Sequence, residues 1–191
     1  MLGKLVLGPL LGLVLAIGLT AALIAAGAQV DVQLPGTTVP QSLQTLAVVI
    51  AGGLFGLFGA TLGALLYLGL GAYGWPVFAD GASGMAHLTG STAGYLWGFV
   101  GGAALMGLWP AKRSLRGLLW LFLGALAAHA IILAAGWWHL SSTIGQVNAF
   151  ERGVEPFLQG GLVKSLIAAL GLWAWRQLST RWRLPRFLLP V

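Results

Sequence analysis

The stretch that decides the fold is Leu46–Gly71, LAVVIAGGLFGLFGATLGALLYLGLG, which contains no charged residue. An uncharged apolar run of this length is typical of a segment inside a lipid bilayer, because about 20 such residues span the hydrocarbon core. Its many glycines leave two interpretations open: one long helix, or two short helices that turn near residues 56–59. Two helices too short to cross the bilayer are tolerated when the turn between them is buried in protein.

The composition of the whole chain agrees with a membrane protein. Of 191 residues, 58% are hydrophobic and 7% are charged, and the mean hydropathy is +0.90. Soluble domains carry about 25% charged residues, and disorder requires low hydrophobicity, so both classes are excluded. The absence of cysteine excludes disulfide frameworks, iron–sulfur clusters and Cys-ligated zinc. The length allows roughly six or seven membrane helices, which indicates a single transmembrane domain over residues 1–191. The apolar stretch 5–28 is longer than the hydrophobic region of a signal peptide, and it therefore predicts a retained first helix.

The distribution of charge decides between five and six helices. The net charge is +6, but the basic residues are too scattered along the chain to form a groove for nucleic acid. In membrane proteins, lysine and arginine concentrate in cytoplasmic segments. Six helices place one basic set inside: Lys4, Lys112, Arg113, Arg116, Arg176, Arg181, Arg183 and Arg186. They place Arg152 and all four acids outside: Asp31, Asp80, Glu151 and Glu155.

We therefore predict an all-α, integral membrane six-helix bundle with cytoplasmic N- and C-termini. The predicted helices cover about residues 2–28, 43–57, 59–73, 92–108, 118–138 and 156–175.

Lys164 is the most informative polar residue. Pro156 suits the first turn of a helix, which places Lys164 about 12 Å further along it, inside the hydrocarbon. A lysine at that depth costs about 2.5–3.5 kcal/mol, and none of the predicted helices contains an acid to pair with it. One interpretation is that the side chain reaches outward to the interface or binds backbone carbonyls. The other is that a bound ligand, or an acid from an outer loop, supplies the missing partner.

Further polar and aromatic residues fall at the outer end of the predicted bundle. Their convergence predicts an outward-facing pocket with aromatic walls, although an interfacial aromatic belt or hydrogen bonding at helix ends would also explain some of them. His129, near the middle of the fifth helix, is expected to bond to a neighbouring helix. Three histidines without matched carboxylates argue against a metal site, and nothing indicates a cofactor. The predicted pocket residues are Gln44, Trp75, Phe78, Asp80, Tyr95, Gln159 and Lys164.

The first helix carries a face of small side chains. Ala21 and Ala25 form one pair at a spacing of four residues, and Ala22 and Ala26 form a second. Small residues at this spacing let another helix approach closely. The face is therefore either internal packing or a docking strip for a partner subunit.

Several motifs resemble one transporter family. Residues 39–47 (VPQSLQTLA), 67–79 (YLGLGAYGWPVFA), 90–99 (GSTAGYLWGF) and 156–164 (PFLQGGLVK) are similar, in this order, to the BioY family, the biotin-specific S component of energy-coupling factor (ECF) transporters. The resemblance covers about residues 19–172. It implies six helices, a site in the bacterial inner (plasma) membrane, and capture of biotin from outside. It further implies docking through the first helix onto a transmembrane coupling subunit that carries two ATP-binding subunits.

The same resemblance implies roles for individual residues. Lys164 matches the family's lysine at the ligand site, Gln44 its glutamine before the second helix, and Tyr95 its Gly-Tyr pair. Asp80 lies in the loop stretch that lines the ligand, and Ala22 and Ala26 fit the small-residue docking motif. This chain departs from the family at two positions.

The departures lie on the sixth helix. Family members usually have Gly-Asp where this chain has Gly160-Gly161, and proline where it has Gln159. If the family's aspartate partners the lysine or the ureido nitrogens of biotin, then Asp80 or solvent must take its place here.

Three other functions compete with biotin capture. Gly81–Gly84 (GASG) fits the GxSG signature of rhomboid-like intramembrane serine proteases, but the sixth helix lacks the histidine that would activate the serine. An S component for another vitamin, such as riboflavin or thiamin, would suit the same pocket. A solitary biotin carrier that works without ATPases is the third. The sequence has no phosphate-binding loop of the Gly-Lys-Ser/Thr kind, so any coupling to ATP must come from partners. We expect a transporter subunit with no catalytic residues, not an enzyme.

Overall fold

The computed structural model describes residues 2–32, 37, 39, 41–110 and 114–179, and this part of the chain is mainly α-helical. This confirms the predicted all-α class. The helices are α1 Leu2–Ala28, α2 Gln44–Ala72, α3 Ala93–Leu108, α4 Leu115–Ile144, α5 Gln146–Gly153 and α6 Glu155–Ser179. Five residues of the predicted cytoplasmic basic set lie outside the described residues: Lys112, Arg113, Arg181, Arg183 and Arg186.

The helix α2 reverses direction at Gly56. Gly56 has φ 69° and ψ −174°, which is not helical, and only glycine adopts this region readily. The side-chain amide of Gln44 donates a hydrogen bond to the hydroxyl of Tyr67. In an uninterrupted helix these two residues would be about 35 Å apart at 1.5 Å per residue. The two halves of α2 therefore form an antiparallel hairpin.

Glycine also allows α3 to approach the tip of this hairpin. A Cβ on Gly107 would lie 2.6 Å from the main-chain carbon of Gly56 and from the nitrogen of Leu57. No side chain fits there, so the end of α3 packs backbone against backbone on the reversal. This contact covers the non-helical backbone, as a turn at membrane depth requires.

Within the described residues, four helical segments are long and apolar enough to cross a membrane: residues 8–28, 44–72 (counted across the reversal at Gly56), 115–144 and 155–179. The shorter apolar helix α3 has 16 residues. Large apolar side chains remain exposed on α1, α2, α4 and α6, for example Leu11, Leu119 and Leu162. Exposed apolar surface of this extent requires a lipid environment, so the chain is a multi-pass membrane protein.

The structure differs from the prediction around the fifth predicted helix. The helix α4 begins three residues earlier than expected, after Ser114, whose side chain accepts a hydrogen bond from the Gly117 nitrogen at 3.3 Å. It continues past Trp138 to Ile144, and in this extension the hydroxyls of Ser141 and Ser142 donate to the main-chain oxygens of the preceding turn. It ends where Gly145 takes φ 80°. The short helix α5 then follows. It was not predicted, because its composition is polar and does not resemble a membrane span.

The helices pack in a closed order. The helix α1 packs on α2, α2 on α3, α3 on α4 and α4 on α6, while α6 also contacts α2. A two-residue strand pair, β1 Asp31–Val32 and β2 Gln41–Ser42, links α1 to α2, with Asp31 opposite Ser42. We call the end of the bundle that carries this pair, residues 73–92 and α5 the loop end. The opposite end is the termini end.

The core of the bundle has two parts. The part nearer the loop end is rich in aromatic residues and includes Tyr67, Phe78 and Phe99. The part nearer the termini end is aliphatic and includes Met106 and Leu172. The second part is closely packed and stabilises the helices, whereas the aromatic part encloses a cavity.

Candidate functional site

A cavity of about 450 Å³ opens in the aromatic part of the core. Its wall is formed by β2, the segment between α2 and α3, and side chains of α2, α3, α4 and α6. Ligand pockets in proteins usually measure about 300–1,000 Å³ and are mostly apolar with a few polar groups. The cavity is therefore large enough for one small molecule.

Lys164 projects into this wall from α6. Its Nζ donates a hydrogen bond of 2.5 Å to the main-chain oxygen of Ser42 in β2, and the side chain is half-buried. This contact is the carbonyl alternative predicted from the sequence, yet the residue also lines the cavity. An ammonium has three donors, and among the described residues this is its one hydrogen bond. The remaining donors are available to a molecule in the cavity.

Gln44 is held in place by two neighbours. Its Oε1 accepts a hydrogen bond of 2.9 Å from the Ser42 hydroxyl, and its amide nitrogen donates to the hydroxyl of Tyr67. All three residues are buried. Because the amide is bonded at both ends, its remaining N–H has a fixed direction in the cavity wall. Such a fixed donor favours orientation of a ligand.

The apolar wall consists of aromatic rings. In this wall the Tyr95 ring lies 6.3 Å from the ring of Phe157. Tyr67 lies behind the wall and meets the Phe78 ring edge to face, with ring centroids 5.5 Å apart. The Tyr95 hydroxyl donates to the main-chain oxygen of Gly153 at 2.7 Å. Its polar atom is therefore occupied by α5, and its ring is left to line the cavity. These four rings are each less than one-tenth exposed.

The residues predicted for the pocket divide into two groups. Two of them do not line the cavity, because their side chains point away from it. Trp75 follows the end of α2 and is 56% exposed. Gln159 precedes Lys164 by five residues, which rotates it about 140° around α6, and its side chain is exposed. The others do line it: Gln44, Phe78, Asp80, Tyr95 and Lys164.

Several polar and aromatic residues that line the cavity were not predicted from the sequence. Gln41 and Ser42 belong to a strand that lacks any periodic signal, and Phe157 was only part of a motif. His129 was assigned to contact between helices, and its Nδ1 does lie 3.0 Å from the Ser165 hydroxyl on α6. Its ring nevertheless lines the cavity as well. The one sequence signal for a role of His129 in the cavity was its position in the middle of an apolar helix.

The GASG segment has no catalytic arrangement within the described residues. Ser83 has no hydrogen bond to a histidine ring there, and a nucleophilic serine needs such a base. No group of three His, Asp or Glu side chains with the arrangement of metal ligands is found among these residues either.

The alanine pairs of α1 face in different directions. Ala21 is 5% exposed and Ala25 packs against the aromatic core, so this pair is internal. Ala22 and Ala26 are exposed, and a Cβ on Gly18 would meet no atom within 4 Å. We call Gly18, Ala22 and Ala26 the small-residue strip. It lies outside the bundle and has no partner among the described residues.

Comparisons with known proteins agree with this fold. The model of the BioY family matches residues 7–181. The chain is 35% identical over 154 residues to the biotin transporter BioY of Thermotoga maritima, covering 80% of this chain and 89% of the relative. It is 35% identical over 158 residues to the probable biotin transporter BioY of Pyrococcus horikoshii, covering 81% and 90%.

A solved structure has a similar fold. The S-component for biotin from an ECF-type ABC transporter superposes with a TM-score of 0.75 at 20% sequence identity, covering 86% of this chain and 90% of the other. At this identity the likeness concerns the fold alone. The family model, in contrast, extends over almost the whole sequence, and it confirms the resemblance seen in the motifs: the chain belongs to the BioY family.

Proposed function

We propose that this chain is the membrane-embedded subunit that captures biotin for an ECF-type transporter. The observation that carries the proposal is the Lys164 ammonium on the wall of an aromatic cavity. The relatives named biotin transporters support the choice of ligand. The proposed contacts are Gln44, Phe78, Asp80, Tyr95 and Lys164, without Trp75 and Gln159.

The chemistry of biotin matches the cavity. Its ureido ring needs hydrogen-bond donors and acceptors, its sulfur ring needs apolar walls, and its valerate is an anion. Lys164 and Gln44 provide donors, and the rings of Phe78, Tyr95 and Phe157 provide the apolar wall. Charge-assisted hydrogen bonds are roughly twice as strong as neutral ones, so Lys164 contributes most at whichever polar end it contacts.

We infer an orientation with the termini in the cytoplasm and the cavity facing outward. The described acids Asp31, Asp80, Glu151 and Glu155 all belong to the loop end, whereas Arg116 and Arg176 belong to the termini end. Basic residues accumulate on the cytoplasmic side. In this orientation one transmembrane domain, residues 1–191, spans the bacterial plasma membrane and receives biotin from outside.

Energy for uptake comes, in this proposal, from partner subunits. The sequence has no phosphate-binding loop, so ATP must be hydrolysed by other chains. The small-residue strip on α1 provides a surface that another helix can approach closely. We propose that it docks on a transmembrane coupling subunit that is associated with two ATP-binding subunits.

Ligand binding and uptake test separate parts of the proposal. Isothermal titration of the purified chain in detergent with biotin, riboflavin and thiamin should show tight binding of biotin alone. Binding of another vitamin in its place would overturn the choice of ligand. Uptake of biotin by vesicles that contain only this chain would indicate a solitary carrier, and cleavage of a membrane peptide that depends on Ser83 would indicate an enzyme.

A further inference from the structure

His129 has one buried nitrogen that the fold leaves without a partner. The residue lies near the middle of α4 and is 5% exposed. Its Nδ1 lies 2.9 Å from the main-chain oxygen of Ala125 and 3.0 Å from the Ser165 hydroxyl. Within the described part of the chain, its Nε2 is buried and has no hydrogen-bond partner. Such an atom is costly to bury unless something else bonds to it.

The neighbours of Nδ1 determine where the ring proton lies. The Ala125 oxygen is an acceptor only. The single hydroxyl proton of Ser165 is directed to the main-chain oxygen of Gly161, 2.8 Å away. Nδ1 therefore faces two acceptors and must itself carry the proton. In a neutral imidazole protonated there, Nε2 is a hydrogen-bond acceptor.

Residue 161 is glycine, so no side chain stands against the Cδ2 edge of the His129 ring. A Cβ built on Gly161 would have one neighbour within 4 Å, the Cδ2 of His129 at 4.0 Å. Cδ2 is the ring carbon bonded to Nε2. Gly161, His129 and Lys164 all line the cavity. Nε2 itself has almost no accessible surface in this structure, so a molecule in the cavity reaches it after a small shift of the ring, for which the missing side chain at Gly161 leaves room.

We propose that Nε2 of His129 accepts a hydrogen bond from an N–H group of the captured ligand, of the kind found in ureas and amides. For biotin the donor is a ureido N–H, so the inference rests on the proposed function. His129 then determines specificity, because a ligand without an N–H at this position leaves a buried acceptor unsatisfied. Ala125 and Ser165 act as positioning residues, since they fix the proton on Nδ1.

Binding measurements on two matched variants test this role. His129→Met removes the acceptor, and the similarly shaped His129→Gln retains one in its amide oxygen. We expect His129→Met to weaken biotin binding about tenfold or more, and His129→Gln to recover most of the affinity. Both variants should be compared with the wild type by size exclusion and thermal unfolding.

A second probe distinguishes a hydrogen bond from a general packing role. A biotin derivative methylated on the ureido nitrogens cannot donate. The wild type should discriminate strongly against it, and His129→Met should discriminate much less. Equal discrimination by both proteins, or unchanged biotin affinity in His129→Met, would overturn the inference. Failure of the wild type to bind biotin at all would overturn the proposed function together with it.

A measurement on the unmodified protein remains decisive if the variants do not fold. In protein labelled with ¹⁵N-histidine, one of the three histidines should show an unprotonated Nε2 that shifts when biotin is added. A protonated Nε2 on His129, or a resonance unaffected by bound biotin, would contradict the proposal.

Discussion

The Nζ of Lys164 and the main-chain oxygen of Ser42 are separated by 122 residues in sequence and by 2.5 Å in space. This hydrogen bond joins α6 to the strand that precedes α2 and forms part of the cavity wall. It stabilises a cation at a depth where an isolated lysine is unfavourable by a few kcal/mol. The ammonium nevertheless retains further donors.

Replacement of Lys164 should therefore affect binding more than folding. We expect Lys164→Ala to weaken biotin binding at least about tenfold, because hydrogen bonds to charged groups contribute about 1.5–3 kcal/mol. The unfolding temperature in detergent should change little, since a costly buried cation is removed with its bond. Titration calorimetry measures the first effect and thermal unfolding the second. Leu162→Ala, on the exposed face of α6, is the control; unchanged affinity in Lys164→Ala would remove the residue from the site.

The small-residue strip should tolerate large residues in the isolated chain but not in the complex. We expect Ala22→Trp and Ala26→Trp to leave biotin binding intact and to abolish association with the coupling subunit, because a bulky ring prevents close helix approach. Affinity purification with tagged partners measures association. Ala21→Trp is the matched control at a buried position and should instead destabilise the fold. Loss of biotin binding in the exposed variants would show that the strip packs internally.

The reversal in α2 should depend on glycine. We expect Gly56→Ala to destabilise the protein by about 1–3 kcal/mol, because its φ and ψ lie in a region that other residues rarely occupy. Gly69→Ala is the control, since a Cβ there would meet no atom within 4 Å and its backbone is helical. Thermal unfolding of the two variants in the same detergent gives the comparison. Equal stability would mean that the turn accommodates a side chain.

The hydroxyl of Tyr67 should matter for the ligand although it lies behind the cavity wall. Tyr67→Phe removes the acceptor for the Gln44 amide and leaves a buried donor unsatisfied, at a cost of about 1–3 kcal/mol. We expect lower stability and a weaker affinity for biotin, because Gln44 is then free to rotate. Leu68→Val, at a buried position of the same helix that does not line the cavity, changes no hydrogen bond and should lower the stability alone. A Tyr67→Phe variant with unchanged affinity would show that Gln44 needs no such support.

Much of the helical arrangement was predictable because hydropathy and charge are local signals. The uncharged run 46–71 and the distribution of basic residues were enough to favour a hairpin over one long helix. The strands β1 and β2 were not predictable, since two-residue strands have no period. The helix α5 was missed because its polar composition does not resemble a membrane span.

The candidate site was predictable only where a residue was unusual for its surroundings. Lys164 stands out in an apolar helix, and it does line the cavity. Direction is harder to predict. Trp75 and Gln159 fall at the loop end but face away: Gln159 is rotated about 140° from Lys164 around α6, and Trp75 lies beyond the end of α2, where no helical spacing fixes its direction. The free nitrogen of His129 depends on contacts with Ala125 and Ser165, and no sequence pattern reports which ring nitrogen is engaged.

The hairpin at Gly56 is also shorter than the hydrocarbon layer of the bilayer is thick. Its two arms extend about 18 and 24 Å at 1.5 Å per residue, whereas the hydrocarbon layer is about 30 Å thick. The tip carries Phe58, whose side chain is 68% exposed. Contact of this aromatic ring with water would be unfavourable in free energy. Hydrophobic mismatch of this kind is relieved by thinning of the bilayer or by coverage with other protein. We therefore expect either a locally thinned leaflet or another protein surface at the tip of this hairpin.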